Sequence, residues 1–240
     1  LDFLSRVGVA KADSTVETAM LEHCVREDLN AQADRMMAML DPIKLVVENW
    51  PEGQTEEVEI EYLPDASTGK RKVLFGKELY IEREDFSYDP PKKYFRLKPE
   101  GEVRLKGAYV VKCTRWETDA EGRVTTVYCT YDPETKGGEC ERKIKGTIHW
   151  LNAETAVAAE MRLYEDLLNP EAEEDADFVD RLNPNSLIVV KGFVEPELAD
   201  KAPGYRCQFM RTGYFCADLD YTKEAPVFNR VVGLKDSYKG

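Results

Sequence analysis

The sequence of 240 residues predicts a mainly β fold: antiparallel sheets closed into small β-barrels, preceded by a short α-helical segment. Three observations carry that expectation. Apolar residues in the first forty positions recur at helical spacing, whereas after Pro42 short runs rich in Val, Ile, Tyr and Phe take over. In Glu57-Val58-Glu59-Ile60-Glu61-Tyr62 the alternation has period two, so one face is buried and the other wet. Turn residues separate such runs at fairly regular intervals, as in sheets closed into small barrels.

The elements follow in order. Leu1 to Gly8 reads as the last turns of a helix closed by glycine, which suggests a chain cut from something longer. Ser14 and Glu17 have capping-box spacing, and Val16, Met20, Leu21, Cys24, Val25 and Leu29 then mark one helix face. Residues 1–40 are therefore expected to be helical, with Asp41-Pro42 as the boundary. Strands are expected at Lys44–Asn49, Glu56–Leu63, Glu78–Glu82, Val103–Trp116 and Val124–Tyr131, the last two flanking an Asp119-Ala120-Glu121-Gly122 turn. Arg142–Leu151, Ser186–Glu195, Arg206–Cys216 and Val227–Leu234 add more. A helix is expected at Ala153–Leu168 with Asn152 as its N-cap, and the acidic Glu171–Asp180 reads as a solvated loop.

Composition narrows the function. The hydrophobic share is 42% and the charged share 33%, which describes a globular chain. No apolar run approaches the ~18 residues of a membrane helix and no signal peptide is visible, so a cytoplasmic protein without membrane contacts is expected. The net charge of −13 argues against wholesale nucleic-acid coating. Six cysteines without C-x-x-C spacing and only two histidines fit free thiols, with neither disulfides nor structural zinc. The phosphate-loop, dinucleotide, nucleophile-elbow and H-E-x-x-H signatures are all missing from the sequence. His149 reads as a packed, hydrogen-bonded histidine and His23 as a surface or capping residue. Catalysis by this chain alone is not expected.

Local charge is more informative. From Lys92 to Lys112 there are seven basic residues (Lys92, Lys93, Arg96, Lys98, Arg104, Lys106 and Lys112), interleaved with Tyr94, Phe95 and Tyr109 and opposed only by Glu100 and Glu102. Arg142, Lys143 and Lys145 form a second basic group, and Arg206 with Arg211 around Gln208 a third. Cations neutralise phosphates and exposed rings stack on unpaired bases. On composition and spacing alone, the plainer account of Lys and Arg on wet strand faces stands slightly ahead.

Longer motifs then match a known family. His23-Cys24-Val25-Arg26-Glu27-Asp28-Leu29-Asn30, Asp89-Pro90-Pro91-Lys92-Lys93-Tyr94-Phe95-Arg96-Leu97 and Glu102-Val103-Arg104-Leu105-Lys106-Gly107-Ala108-Tyr109 resemble glutaminyl-tRNA synthetase, most closely its bacterial form. So do Cys129-Thr130-Tyr131-Asp132-Pro133, Lys145-Gly146-Thr147-Ile148-His149-Trp150, Gly213-Tyr214-Phe215-Cys216 and Pro226-Val227-Phe228-Asn229-Arg230. The resemblance runs along essentially the whole chain and is to the C-terminal part of the enzyme, without HIGH-type or KMSKS-type signatures. It implies barrels of a ribosomal-protein-like type. The end of a helical subdomain is expected at 1–40, a proximal anticodon-binding barrel at 41–90 and 187–240, and a distal one at 91–186.

The same resemblance implies site residues. Arg35 and Gln208 correspond to readers of the middle anticodon base, with Arg211 at a neighbouring basic position. Arg96 corresponds to the reader of the third base, and Arg104 and Lys106 to two arginines near the first. Lys106 departs from the family pattern and supplies a point charge in place of a planar fork. Lys93 and Phe95 also depart from it, standing where well-known members carry glutamine and lysine. The Pro64–Lys70 loop aligns poorly. Lys92, Lys93, Lys143 and Lys145 are expected phosphate contacts, with no catalytic and no metal-binding residue. The partner expected is the tRNA(Gln) anticodon loop, with no DNA, alongside the enzyme's own catalytic domain, in a monomer. ATP, with Mg, belongs to the parent ligase and not to this segment. Two alternatives stay open: an archaeal or eukaryotic-type glutamyl-tRNA synthetase region, and an acidic β-barrel module that docks another protein.

Overall fold

A computed structural model describes residues 1–8, 15–64, 69–138, 140–169, 171–173 and 175–235. Two helices open the chain, α1 (Asp2–Val7) and α2 (Thr18–Gln32). Gly8 ends α1 at φ 75°, a left-handed geometry that glycine tolerates best. The N-cap of α2 is Glu17, with no side-chain capping bond, and Ser14 lies outside the described residues.

The helical head is shorter than the sequence suggests. After Gln32 the chain enters β1 (Asp34–Met36) and β2 (Ala38–Met39). Packing accounts for the difference: Met36 and Ala38 feed one hydrophobic core while Met37 and Met39 feed another. Opposite-pointing side chains are what a strand provides, so this short run forms a seam between two cores.

The remaining strands are β3 (Pro42–Val47), β4 (Glu56–Glu61), β5 (Lys70–Phe75), β6 (Glu78–Glu82), β7 (Glu102–Leu105), β8 (Val110–Thr118) and β9 (Val124–Asp132). Then come β10 (Thr147–Ile148), β11 (Leu151–Asn152), β12 (Val157–Tyr164), β13 (Leu187–Val194), β14 (Arg206–Phe209), β15 (Gly213–Ala217) and β16 (Val227–Gly233). They form two barrel-like sheets, one nearly closed and the other a half-barrel. One sheet runs β10-β7-β8-β9-β3-β6-β11, the other β1-β14-β15-β16-β12-β13-β2, and β4 and β5 make a separate hairpin.

Several expectations are corrected. The helix expected at Ala153–Leu168 is strand β12: Ala159 and Met161 are buried in alternation, and eight residue pairs with β13 fix the register. Asn152 does cap backbone amides, those of Glu154 and Thr155, but it closes a turn. Arg206–Cys216 is a hairpin of β14 and β15 rather than one strand. The sheets are mixed, since β3 pairs with β9, β7 with β10, β1 with β14 and β12 with β16 in parallel. Apart from the β4–β5 hairpin, strands from 42 to 152 share one sheet, and those from 34 to 39 and 157 to 233 share the other.

Three contacts lock the sheets together. Arg71 on β5 forms a buried two-pronged ion pair with Glu195 just beyond β13, both bonds 2.6 Å. Tyr80 on β6 stacks on Phe193 of β13 with ring centroids 4.4 Å apart. Arg211, in the turn between β14 and β15, reaches the fully buried Asp85 that follows β6.

Candidate nucleic-acid interface

Three clefts hold the candidate residues: one at the seam between the sheets, a second beside it against the β4–β5 hairpin, and a third on the side of the first sheet. In the first, parallel pairing of β1 with β14 sets Arg35 opposite Gln208. Register partners in a parallel pair present their side chains on the same face. Helix α2 packs Leu29 and Ala33 against Tyr214 and Val232 on the second sheet. Its Asn30 side-chain Oδ1 then accepts from Tyr214 Oη at 3.1 Å and Arg35 Nη2 at 3.4 Å. This cleft, about 450 Å³, is also lined by Lys106, Thr147, His149 and Arg211. Among the described residues the Gln208 amide has no side-chain hydrogen bond, although the residue is only 8% exposed.

Lys106 and Thr147 pass from the first cleft into a second of about 750 Å³, which adds Arg104 and Lys136. Parallel pairing of β10 with β7 holds Thr147 beside Arg104. The third cleft, about 540 Å³, is walled by Lys92, Lys93, Phe95, Arg96, Lys143 and Lys145. Gly146 fixes its floor, because a Cβ there would meet the Phe95 carbonyl oxygen at 1.9 Å. Lys93 sits at φ 65°, a backbone geometry costly for a non-glycine residue. Each of the ten residues singled out from the sequence thus lines one of the three clefts.

Charge is unevenly placed over this surface. In the second cleft Lys70 is neutralised by Glu59 and Lys136 by Glu56, and outside the clefts Lys72 pairs with Glu57, Lys112 with Glu100, Arg115 with Glu48, and Arg142 with Glu102 and Asp132. Within the clefts, Arg35, Lys92, Lys93, Lys98, Lys106, Lys143 and Lys145 have no ion-pair partner among the described residues. Lys145 instead lies 5.3 Å from the centroid of the exposed Phe95 ring. Arg142, grouped with Lys143 and Lys145 in the sequence, is occupied by its two carboxylates. Tyr109 is buried and bonded to Glu56, so it offers no stacking face.

Two of the expected readers are held more tightly than the others. Arg96 binds Glu84 through Nη1 at 2.8 Å and approaches Asp85 with Nε at 3.4 Å. Arg211 grips both Asp85 oxygens at 2.6 and 2.8 Å. Burial opposes the Arg211 charge, but the Asp85 bond and charge outweigh it and raise the pKa. His149 is the packed histidine the sequence suggests. Burial lowers its pKa to about 4, Nε2 donates to the Ala38 carbonyl at 3.0 Å, and Nδ1 accepts from Arg211 at 3.4 Å. His23 lies on α2 beside Glu27 at 3.4 Å. The sequence reading missed Asn30, Glu84, Asp85 and Thr147. Of these only Glu84-Asp85, an acidic pair closing a strand, left a local trace. Among the described residues no His, Cys, Asp and Glu cluster could hold a metal, and no helix is long and apolar enough to cross a membrane.

Comparison with known proteins places the chain in a family. A family profile described as tRNA synthetases class I (E and Q), anti-codon binding domain, matches residues 33–132, and a second profile of the same description matches 147–218. A glutamine--tRNA ligase of Clostridium perfringens is 53% identical, and one of Alteromonas mediterranea 54% identical, each over 99% of this chain. A glutamine--tRNA ligase of Vibrio cholerae is 49% identical over the same share. The chain spans 44% of the length of each of these relatives.

Proposed function

Because the chain belongs to the class I (E and Q) tRNA synthetase anticodon-binding family, we propose that its three clefts bind the anticodon loop of tRNA(Gln). The observation that carries this reading is the group of lysines in the third cleft, Lys92, Lys93, Lys98, Lys143 and Lys145, with no ion-pair partner among the described residues of a protein whose net charge is −13. An anticodon is single-stranded, so its bases can be splayed into separate pockets and read on their edges. Arg35 and Gln208 take the middle base: Arg offers a donor fork, and Gln offers a donor and an acceptor. Arg96 takes the third base, and Arg104 and Lys106 the first. Lys92, Lys93, Lys143 and Lys145 hold phosphates and position the loop without reading it.

In a complete ligase, ATP and Mg would activate glutamine before its transfer to the terminal adenosine of the tRNA. This chain would supply binding and identity readout and no catalytic step. Titration of anticodon stem-loops carrying glutamine or glutamate anticodons tests the reading. Tighter binding of the glutamine loop is expected, with log K falling linearly as log salt rises. Salt-independent binding, or no preference between the loops, would overturn it.

A further inference from the structure

Two arginines that line different clefts share one acidic pair. Arg211 sends Nη1 and Nη2 to the two oxygens of Asp85, and Nη2 also lies 3.1 Å from Glu84 Oε1. Arg96 places Nη1 2.8 Å from that same Glu84 oxygen. Its Nε lies 3.4 Å from Asp85 Oδ1, the oxygen that Arg211 Nη2 holds at 2.6 Å. The Asp85 side chain is fully buried, whereas that of Glu84 is 63% exposed. No other cation among the described residues pairs with Asp85. A buried carboxylate is strongly destabilising once its partners leave, so Asp85 cannot release both arginines to a ligand at once.

We propose that Asp85, together with Glu84, is a positioning unit that couples the Arg96 cleft to the Arg35–Gln208 cleft. A ligand that draws Arg96 off Glu84 leaves more of that carboxylate to Arg211, which shifts the wall of the neighbouring cleft. Adjacent bases are then recognised as a pair rather than one at a time. This rests on the anticodon-binding reading above.

The test is a double-mutant cycle on the full 240-residue chain, reading affinity for the glutamine anticodon stem-loop by fluorescence anisotropy. The combined loss for Arg96→Ala with Arg211→Ala is expected to fall short of the product of the single losses by about threefold or more. Arg104→Ala, in the second cleft, which Arg211 does not line, is expected to combine multiplicatively with Arg96→Ala. Asp85→Asn should abolish the coupling and Glu84→Gln should reduce it. Where Asp85→Asn does not fold, the exposed Glu84→Gln decides. Multiplicative losses in the first cycle, or a coupling undiminished in the deciding variant, overturn the proposal while leaving anticodon binding intact. A wild-type chain that binds no stem-loop overturns both.

Discussion

Arg35 and Gln208 stand side by side because β1 and β14 run parallel with these two residues in register. Hydrophobic contacts set that register: Met36 and Phe209, the next partners along, are both fully buried in the same core. Two polar groups with complementary donors and acceptors are therefore placed by the packing behind them.

The clearest consequence concerns specificity. Arg96→Ala is expected to cost about 1–3 kcal/mol and to relax discrimination at one anticodon position. Lys143→Ala should weaken every stem-loop by a similar factor, because a phosphate contact carries no sequence. Stem-loops varied one base at a time, titrated against both variants, check this. A uniform loss from Arg96→Ala would remove it from the base readers.

Phe95 gives a second expectation. It is 52% exposed among unpaired lysines, which suits a stacking face for an unpaired base. Phe95→Leu should lose about 1–3 kcal/mol of stem-loop affinity. The loss should vanish when the base concerned is replaced by an abasic site. An equal loss against every abasic loop would assign Phe95 to structure alone.

Sequence conveyed this architecture unevenly. Strands flanked by turn residues, such as β6 and the β8–β9 hairpin, were legible because alternation and turn chemistry are local. Strand β12 was not, because Ala-Val-Ala-Ala-Glu-Met-Arg-Leu carries strong helix formers and only pairing with β13 overrides them. Most cationic residues of the clefts were visible as local basic clusters, but Arg35 and the roles expected of all of them came only from the chain-long resemblance. The carboxylates that hold Arg96 and Arg211 went unnoticed, since nothing in a row of Asp and Glu tells which will be buried.

The Arg71–Glu195 pair should dominate the stability of the joint. Both side chains are nearly inaccessible, and Glu195 also accepts the Met37 amide. Arg71→Met is expected to cost about 3–5 kcal/mol by leaving a buried carboxylate uncompensated. Adding Glu195→Gln, which keeps an acceptor for Met37, should recover part of that loss. Urea denaturation of the three variants against wild type measures both effects.

Acidification supplies the last prediction. His149 has its pKa depressed from 6.5 to about 4 by burial, so the unfolded chain takes up a proton before the folded one does. Its contribution is complete above pH 6.5, declines by about 1.4 kcal/mol per pH unit as pH falls, and is gone below about 4. His149→Gln should flatten the upper part of that decline, above the range where ordinary carboxylates titrate. Thermal melts across the interval test it, and an unchanged slope would show that other groups govern acid sensitivity.

The contacts across the seam have a mechanical consequence. With Arg71 clamped to Glu195 and Tyr80 stacked on Phe193, the backbone spacing between subsites behaves as a rigid jig in which only side chains such as Arg96 and Arg211 adjust. The nucleic acid must then do the bending. Slow unstacking of the loop, rather than closure of the protein around it, would set the pace of capture.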